Sequence, residues 1–92
     1  MDPYHEPERQ RFVLPLEPEP AIVDYCPVGG GVVSFDRVYV PPAHRGTAAS
    51  RTILAFAFDH AREAGWKIRP TCPYIADRYV PRHPELQDLI EK

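Results

Sequence analysis

The feature that most constrains the fold is one long amphipathic segment flanked by strand-like sequence. From about residue 47 to residue 64, small and apolar side chains recur at helical spacing, and Gly65 follows as a natural helix end. The apolar face consists of Ser50, Ile53, Leu54, Ala57, Phe58, Ala61 and Ala64. Residues 32–40 (VVSFDRVYV) before this helix and 66–70 (WKIRP) after it predict strands. Because a full-length helix joins them, the two strands should lie parallel, connected by a right-handed crossover.

Two further strands are predicted earlier in the chain. The apolar runs 11–16 (RFVLPL) and 21–26 (AIVDYC) predict an antiparallel meander with the 32–40 strand. The stretch 27–31 (PVGGG) predicts a flexible turn between the second and third of these strands. Regular alternation would place one set of third-strand side chains on a common face: Val33, Phe35, Arg37 and Tyr39.

Short helices are predicted at the C-terminal end. Residues 72–80 (CPYIADRYV) and 83–92 (HPELQDLIEK) each carry a proline where it suits the first turn of a helix. Residues 1–10 predict a flexible tail ahead of a single domain over 11–92. The expected class is α+β: an antiparallel meander, one main helix, a parallel-paired strand and short C-terminal helices.

Composition excludes several classes of function. A net charge of −2 provides no basic footprint for nucleic acid, and 43% hydrophobic with 26% charged residues is typical of a globular domain. Cys26 and Cys72 form no C-x-x-C pair and the four histidines are scattered, so no metal site is expected and both thiols should be reduced. The start is polar and no apolar run approaches ~18 residues, which predicts a soluble, cytoplasmic protein without a membrane segment.

The junction between the third strand and the main helix, residues 40–50 (VPPAHRGTAAS), is a candidate anion site. Backbone N–H groups in a first helical turn have no intrahelical partners, and the helix dipole favours negative charge there. Small residues at 46–50 would let a ligand approach the backbone, and Arg45 and Arg51 could contact phosphate oxygens. The alternative is an ordinary helix start, with Thr47 as the N-cap.

From residue 32 onward the chain resembles the GNAT-type N-acetyltransferases, whose acetyl-CoA motif reads Q/R-x-x-G-x-G/A at a strand–helix junction. It resembles a short single-domain group within them more closely. The matching stretches are YVPPAHRGTAAS and ILAFAFDHAREAGWKIRPTCPYIADRYVPRHPELQDL. The pattern P-x-C-P-Y…R-H-P-E…D-L is specific to that short group.

The resemblance implies where acetyl-CoA would bind. Arg45 takes the Q/R position, Ala48 the first glycine position and Ser50 the final G/A position. The pyrophosphate would lie on Arg45, Gly46, Thr47, Ala48, Ala49, Ser50 and Arg51, and the pantetheine arm along Val38, Tyr39 and Val40. The chain departs from the family at Ala48, and Arg37-Val38 replaces a His-Thr pair. If position 48 requires a positive φ, alanine is strained there; if it is helical, alanine is favourable.

Two residues are candidates for catalysis. Cys72 follows a predicted strand and precedes a proline-started helix, a position that favours a reactive thiolate; the alternative is a buried structural cysteine. Tyr74 could protonate a departing thiolate, as tyrosines do in larger members of the family, or could pack in the core. The resemblance thus implies acetyl transfer to an amine, with a shallow site that suits a peptide or protein acceptor. The alternative is a non-catalytic CoA-binding or protein-interaction module.

Overall fold

A computed structural model describes residues 2–91 and contains, within that range, five strands and one α-helix. The strands are β1 (Tyr4–Glu6), β2 (Arg11–Leu14), β3 (Ala21–Gly29), β4 (Val32–Tyr39) and β5 (Lys67–Pro70), and the helix is α1 (Ala49–Ala64). The strands form one sheet in chain order. The first three pairings are antiparallel, and β4 and β5 are parallel. The α+β class and the parallel crossover through the main helix are therefore confirmed.

The N-terminal segment differs from the flexible tail predicted over 1–10. Tyr4–Glu6 pairs with β2 as an edge strand, and the pair ends in an ion pair between Glu6 and Arg11 at 2.5 Å. The His5 ring stacks on Phe12 at a centroid distance of 4.7 Å. No local sequence pattern predicts these contacts, because a strand of three residues is too short to display a period. Met1 of the predicted tail and Lys92 of the last predicted helix lie outside the described residues.

The β3–β4 hairpin is longer and tighter than predicted. Pro27, assigned to a flexible turn, still pairs with Val33, and Gly29 pairs with Val32, so that of Gly29, Gly30 and Gly31 only the last two form the reversal. All three glycines have positive φ, a conformation that glycine adopts without steric cost. The tight turn therefore replaces the predicted loop over 27–31.

A β-bulge in β4 overturns the predicted face. Asp24 pairs with Arg37 but Tyr25 pairs with Phe35, so Asp36 is an extra residue in β4. Phe35 is fully buried in the core, whereas Arg37 is exposed and ion-pairs with Asp24 at 3.5 Å. The bulge interrupts the alternation, and Arg37 does not follow Phe35 into the core.

Helix α1 covers one face of the sheet. Its predicted apolar positions are buried except at the two ends, where Ser50 is half-buried and Ala64 is exposed. The side chains of Ile53, Leu54 and Ala57 are fully buried. Gly65 ends the helix at φ 74°, the left-handed conformation that the sequence predicts for this position. The core lies between α1 and the sheet, which fixes the direction of the helix N-terminus.

The C-terminal segment is helical but, beyond Pro73 and Tyr74, not α-helical. Ile75–Tyr79 forms a turn of π-helix, followed by 3₁₀ turns at Val80–Arg82 and Pro84–Leu89. Leu86 and Leu89 are buried as expected, and Ile90 pairs with Ile68 of β5. Within residues 2–91 no helix has the length and apolar character needed to cross a membrane.

Candidate functional site

β4 and β5 separate halfway along β4. Their pairing ends where Phe35 lies opposite Pro70, and the backbone N–H groups of Thr71 and Cys72 both donate to the Phe35 carbonyl at 3.1 Å. The Thr71 hydroxyl also donates to that carbonyl, at 3.1 Å. After these bonds the segment that follows β5 turns away from β4, while β4 itself continues to Tyr39. Among residues 2–91, no strand pairs with the outer edge of β4 beyond Phe35.

A cavity of about 350 Å³ lies at this separation, between the end of β4 and the start of α1. It is lined by Val38, Tyr39, Val40, His44, Arg45, Gly46, Thr47, Ser50 and Tyr74. All of these except His44 are residues that the sequence predicts for cofactor binding or catalysis. The fold thus brings most of the predicted site together in one place.

The turn before α1 has the conformation of a helix entry built around one glycine. Gly46 has φ 81°, where a side chain would be strained. Ala48 has φ −78° and ψ 2°, so alanine is not strained at the position where the family pattern has glycine. Ala48, not Thr47 as predicted, occupies the N-cap. Thr47 instead donates to the His44 carbonyl at 2.5 Å and accepts from the Ala49 N–H at 3.2 Å.

The first turn of α1, which borders the cavity at Ser50, carries N–H groups without a backbone acceptor. The first intrahelical bond runs from the Thr52 N–H to the Ala48 carbonyl at 2.9 Å. Within the described part of the chain, the N–H groups of Ser50 and Arg51 have no backbone acceptor. These groups and the helix dipole create positive potential at the N-terminus of α1, which suits an anion.

Arg45 is held at the edge of the cavity. Its Nε donates to the Val40 carbonyl at 2.9 Å, and its guanidinium lies 5.9 Å from the Tyr39 ring centroid. Arg37 lies over the same ring at 5.2 Å. A hydrogen bond to Glu19, and the charge of that carboxylate, raise the pKa of Tyr39. The terminal nitrogens of Arg45 remain available while its orientation is already set.

His44 is the cavity residue that sequence reasoning did not include. Its Nε2 lies 2.7 Å from the carbonyl oxygen of Glu17, in the loop between β2 and β3. The Tyr39–Glu19 bond attaches the same loop to β4. In the sequence, the signal that could have included His44 in the site was its position beside Arg45. Its contact with the loop could not be predicted, because Glu17 lies 27 positions earlier in the chain.

The two predicted catalytic residues have different environments. Tyr74 lines the cavity, is 40% exposed, and its hydroxyl lies 3.3 Å from the Ser50 Oγ. Cys72 is 7% exposed, belongs to the apolar core and does not line the cavity. Of the other predicted residues, Ala49 is buried, and Ala48 and Arg51 lie outside the cavity lining. Within residues 2–91 no cluster of three or more His, Cys, Asp or Glu side chains could hold a metal ion.

A sheet that opens beside a helix N-terminus can receive an anionic ligand, and comparison with known proteins gives the class. The family model for the GCN5-related N-acetyl-transferases matches residues 11–89, so the chain belongs to that family of acyltransferases. Among individual proteins it is similar to Protein NATD1 of Gallus gallus. The two are 31% identical over 87 residues, which cover 92% of this chain and 78% of that protein.

Proposed function

We propose that the protein binds acetyl-CoA in the cavity at the end of β4 and transfers the acetyl group to a primary amine. One observation carries the proposal: a free strand edge, unpaired helix N–H groups and an oriented guanidinium all border a single cavity. A strand edge suits the amide groups of the pantetheine arm, and a helix N-terminus suits a pyrophosphate. The two halves of the cavity therefore match the two halves of the ligand.

The pyrophosphate is assigned to residues 45–51. Gly46 lacks a side chain, which lets phosphate oxygens approach the backbone. The N–H groups of Ser50 and Arg51 supply donors, and the helix dipole adds to their effect. Arg45 loses little side-chain entropy on binding, because Val40 and Tyr39 already hold it.

The pantetheine arm is assigned to the outer edge of β4. Beyond Phe35 this edge has no strand partner among residues 2–91, so its backbone groups can bond amides of the ligand. The Val40 carbonyl is occupied by Arg45, which leaves the Val38–Tyr39 stretch for the arm. An arm along this stretch extends from the turn toward Phe35, where β5 departs.

Tyr74 is assigned as the general acid. Bound acetyl-CoA supplies an activated acetyl thioester. As the amine nitrogen bonds to the acetyl carbon and the carbon–sulfur bond breaks, the Tyr74 hydroxyl donates its proton to the departing sulfur. Ser50, 3.3 Å away, orients that hydroxyl. The amine loses its proton to water, since Tyr74 is 40% exposed and the cavity opens to solvent.

Direct transfer is favoured over an acetyl-cysteine route. A covalent route needs a thiolate that can reach the thioester, and Cys72 is buried outside the cavity lining. The open mouth of the cavity suits an amine carried on a peptide or protein.

Binding and transfer are tested separately. Acetyl-CoA is titrated into the protein by calorimetry, and transfer to a lysine-containing peptide, a peptide with a free N-terminus and spermidine is followed by mass spectrometry. We expect saturable binding and an acetylated amine. Absence of binding would overturn the assignment of the cavity. Binding without transfer to any acceptor would favour the non-catalytic CoA-binding module instead.

A further inference from the structure

The sheet has two faces, and α1 covers one of them. The buried side chains of Phe12, Val23 and Phe35 lie on the covered face, in the core beneath the helix. Successive side chains of a strand alternate between the two faces, so Val13, the residue after Phe12, points to the opposite face. Consistent with this, Val13 is 2% exposed and yet lies outside the core cluster. The face on which Val13 lies is the outer face of the sheet.

A row of four apolar side chains crosses the outer face from β1 to β4. The register of the sheet places them side by side on neighbouring strands: Tyr4, Val13, Ile22 and Tyr39. Tyr4 is 46% exposed, and Ile22 and Tyr39 are half-buried. The row has an aromatic residue at each end and a β-branched residue at each middle position, so its shape is similar when it is read in either direction.

A row of four charged side chains lies beside the apolar row, two residues away from it on each strand. In the order of the strands it consists of Glu6, Arg11, Asp24 and Arg37. Ion pairs join Glu6 to Arg11 at 2.5 Å and Asp24 to Arg37 at 3.5 Å. The signs alternate along the row, so a reversal of its order exchanges every negative position for a positive one.

The partner that fits both rows is a second copy of the same chain. A two-fold axis parallel to the strands, between β2 and β3, would place the outer faces of two copies together and reverse the strand order of one relative to the other. Glu6 would then face Arg37 of the partner subunit, and Arg11 would face Asp24 of the partner subunit. In the apolar row, β-branched residues would meet in the middle and tyrosines at both ends.

The charges select this direction of the axis. A two-fold axis perpendicular to the strands, in the plane between the faces, would keep the strand order, so each charged residue would face its own copy or the apolar row. Like charges that face each other lower the affinity, and so does a charge that is buried against apolar side chains without a partner.

We infer that the protein forms a symmetric homodimer through the outer face of its sheet. Two sheets packed in this way keep their strands nearly aligned and about 10 Å apart. The five strands, spaced about 4.8 Å apart, and the eight residues of β4, at about 3.3 Å each, give a face of about 600 Å². Because a standard interface covers about 800 Å² on each partner, this dimer should be weak and should form at high protein concentration.

The test measures the dimer dissociation constant of the full 92-residue protein by sedimentation equilibrium, up to millimolar concentration. We expect a reversible monomer–dimer equilibrium for the native protein. Arg37→Glu and Glu6→Arg each place like charges across the interface. Because a symmetric interface contains every contact twice, each substitution should raise the dissociation constant about a hundredfold. Arg78→Glu, at an exposed residue of the C-terminal segment, changes the net charge as Arg37→Glu does and should leave the constant unchanged.

A double variant with Glu6→Arg and Arg37→Glu separates contacts between copies from contacts within one chain. It breaks both ion pairs within the chain, yet it pairs opposite charges again across the interface. We therefore expect its dissociation constant to return close to the native value. Surface ion pairs contribute little to stability, and circular dichroism checks that each variant is folded.

The inference is overturned if the native protein stays monomeric at millimolar concentration, which would leave the outer face to a different protein. It is also overturned if neither single substitution weakens the dimer, or if the double variant dimerises no more tightly than the single variants.

Discussion

The two ends of α1 differ in how their backbone groups are satisfied. At the C-terminal end, the N–H groups of Gly65 and Trp66 donate back to carbonyls of the last turn, at 3.3 and 2.9 Å. Arg62 binds Asp88 and the Glu85 carbonyl, and this contact lowers the pKa of Asp88. At the N-terminal end, the N–H groups of Ser50 and Arg51 have no backbone acceptor within residues 2–91.

This difference supports the proposal that the N-terminal end of α1 binds the ligand and that the C-terminal end is structural. At the C-terminal end the carbonyls of Ala61 and Arg62 are bonded within the chain, and the aromatic rings of His60 and Trp66 pack beside them at a centroid distance of 5.0 Å. The N-terminal end has N–H donors without a backbone acceptor, the positive end of the helix dipole, and the terminal nitrogens of Arg45 nearby. Substitutions at the C-terminal end should therefore change stability, and substitutions at the N-terminal end should change ligand binding.

The largest effect is expected for Tyr74→Phe in an acetyl-transfer assay. Removing a general acid should lower kcat about a hundredfold with little change in KM. The exposed Tyr4→Phe provides the matched control and should retain full activity. Unchanged kcat in Tyr74→Phe would remove Tyr74 from the mechanism and leave the cavity only a binding role.

The two cysteines should differ strongly in alkylation by iodoacetamide. Cys26 is exposed, whereas Cys72 is buried and reacts only when the fold opens. Cys72 should react about a hundredfold more slowly, which corresponds to an opening free energy of about 2.8 kcal/mol. Site-resolved mass spectrometry measures both rates in one sample. Faster reaction at Cys72, slowed by added CoA, would restore the acetyl-cysteine route.

Charge reversal tests the two ends of the helix directly. Arg45→Glu should weaken CoA binding about tenfold, because it places a carboxylate beside the pyrophosphate. Arg62→Glu makes the same change of charge near the C-terminal end of α1 and should lower stability while leaving CoA affinity unchanged. Calorimetry and thermal unfolding are measured on both variants. An equal loss of CoA affinity in both variants would show that the net charge of the protein, and not a contact of Arg45 with the pyrophosphate, controls binding.

The smallest effect is expected for a matched glycine pair. Gly46 and Gly65 both have left-handed φ, at 81° and 74°, and neither has a neighbour that an added Cβ would meet. Alanine at either position should lower the free energy of unfolding by about 1 kcal/mol. Only Gly46→Ala should also weaken CoA binding, since its methyl group borders the cavity. Weakened binding in Gly65→Ala would show that helix stability alone controls affinity.

Much of the site could be predicted because its parts are local. The strand, the glycine turn and the helix that follow one another from Val32 to Ala64 are each specified by near neighbours in the chain. Tyr74 and Ser50 were each predicted from a motif, but their 3.3 Å contact joins residues 24 positions apart. His44 was missed because its role depends on the Glu17 carbonyl, which no local pattern identifies.

The sequence by itself determined the class of fold, the limits of α1 within two residues and the parallel crossover to β5, because apolar period and glycine stops act over a few residues. Tertiary structure alone decided the bulge at Asp36 and the π-helical turn at Ile75–Tyr79. It also decided that Cys72 lies in the core while Tyr74, two residues later, lines the cavity. The positions of Cys72 and Tyr74 depend on where β5 separates from β4, and long-range packing sets that point.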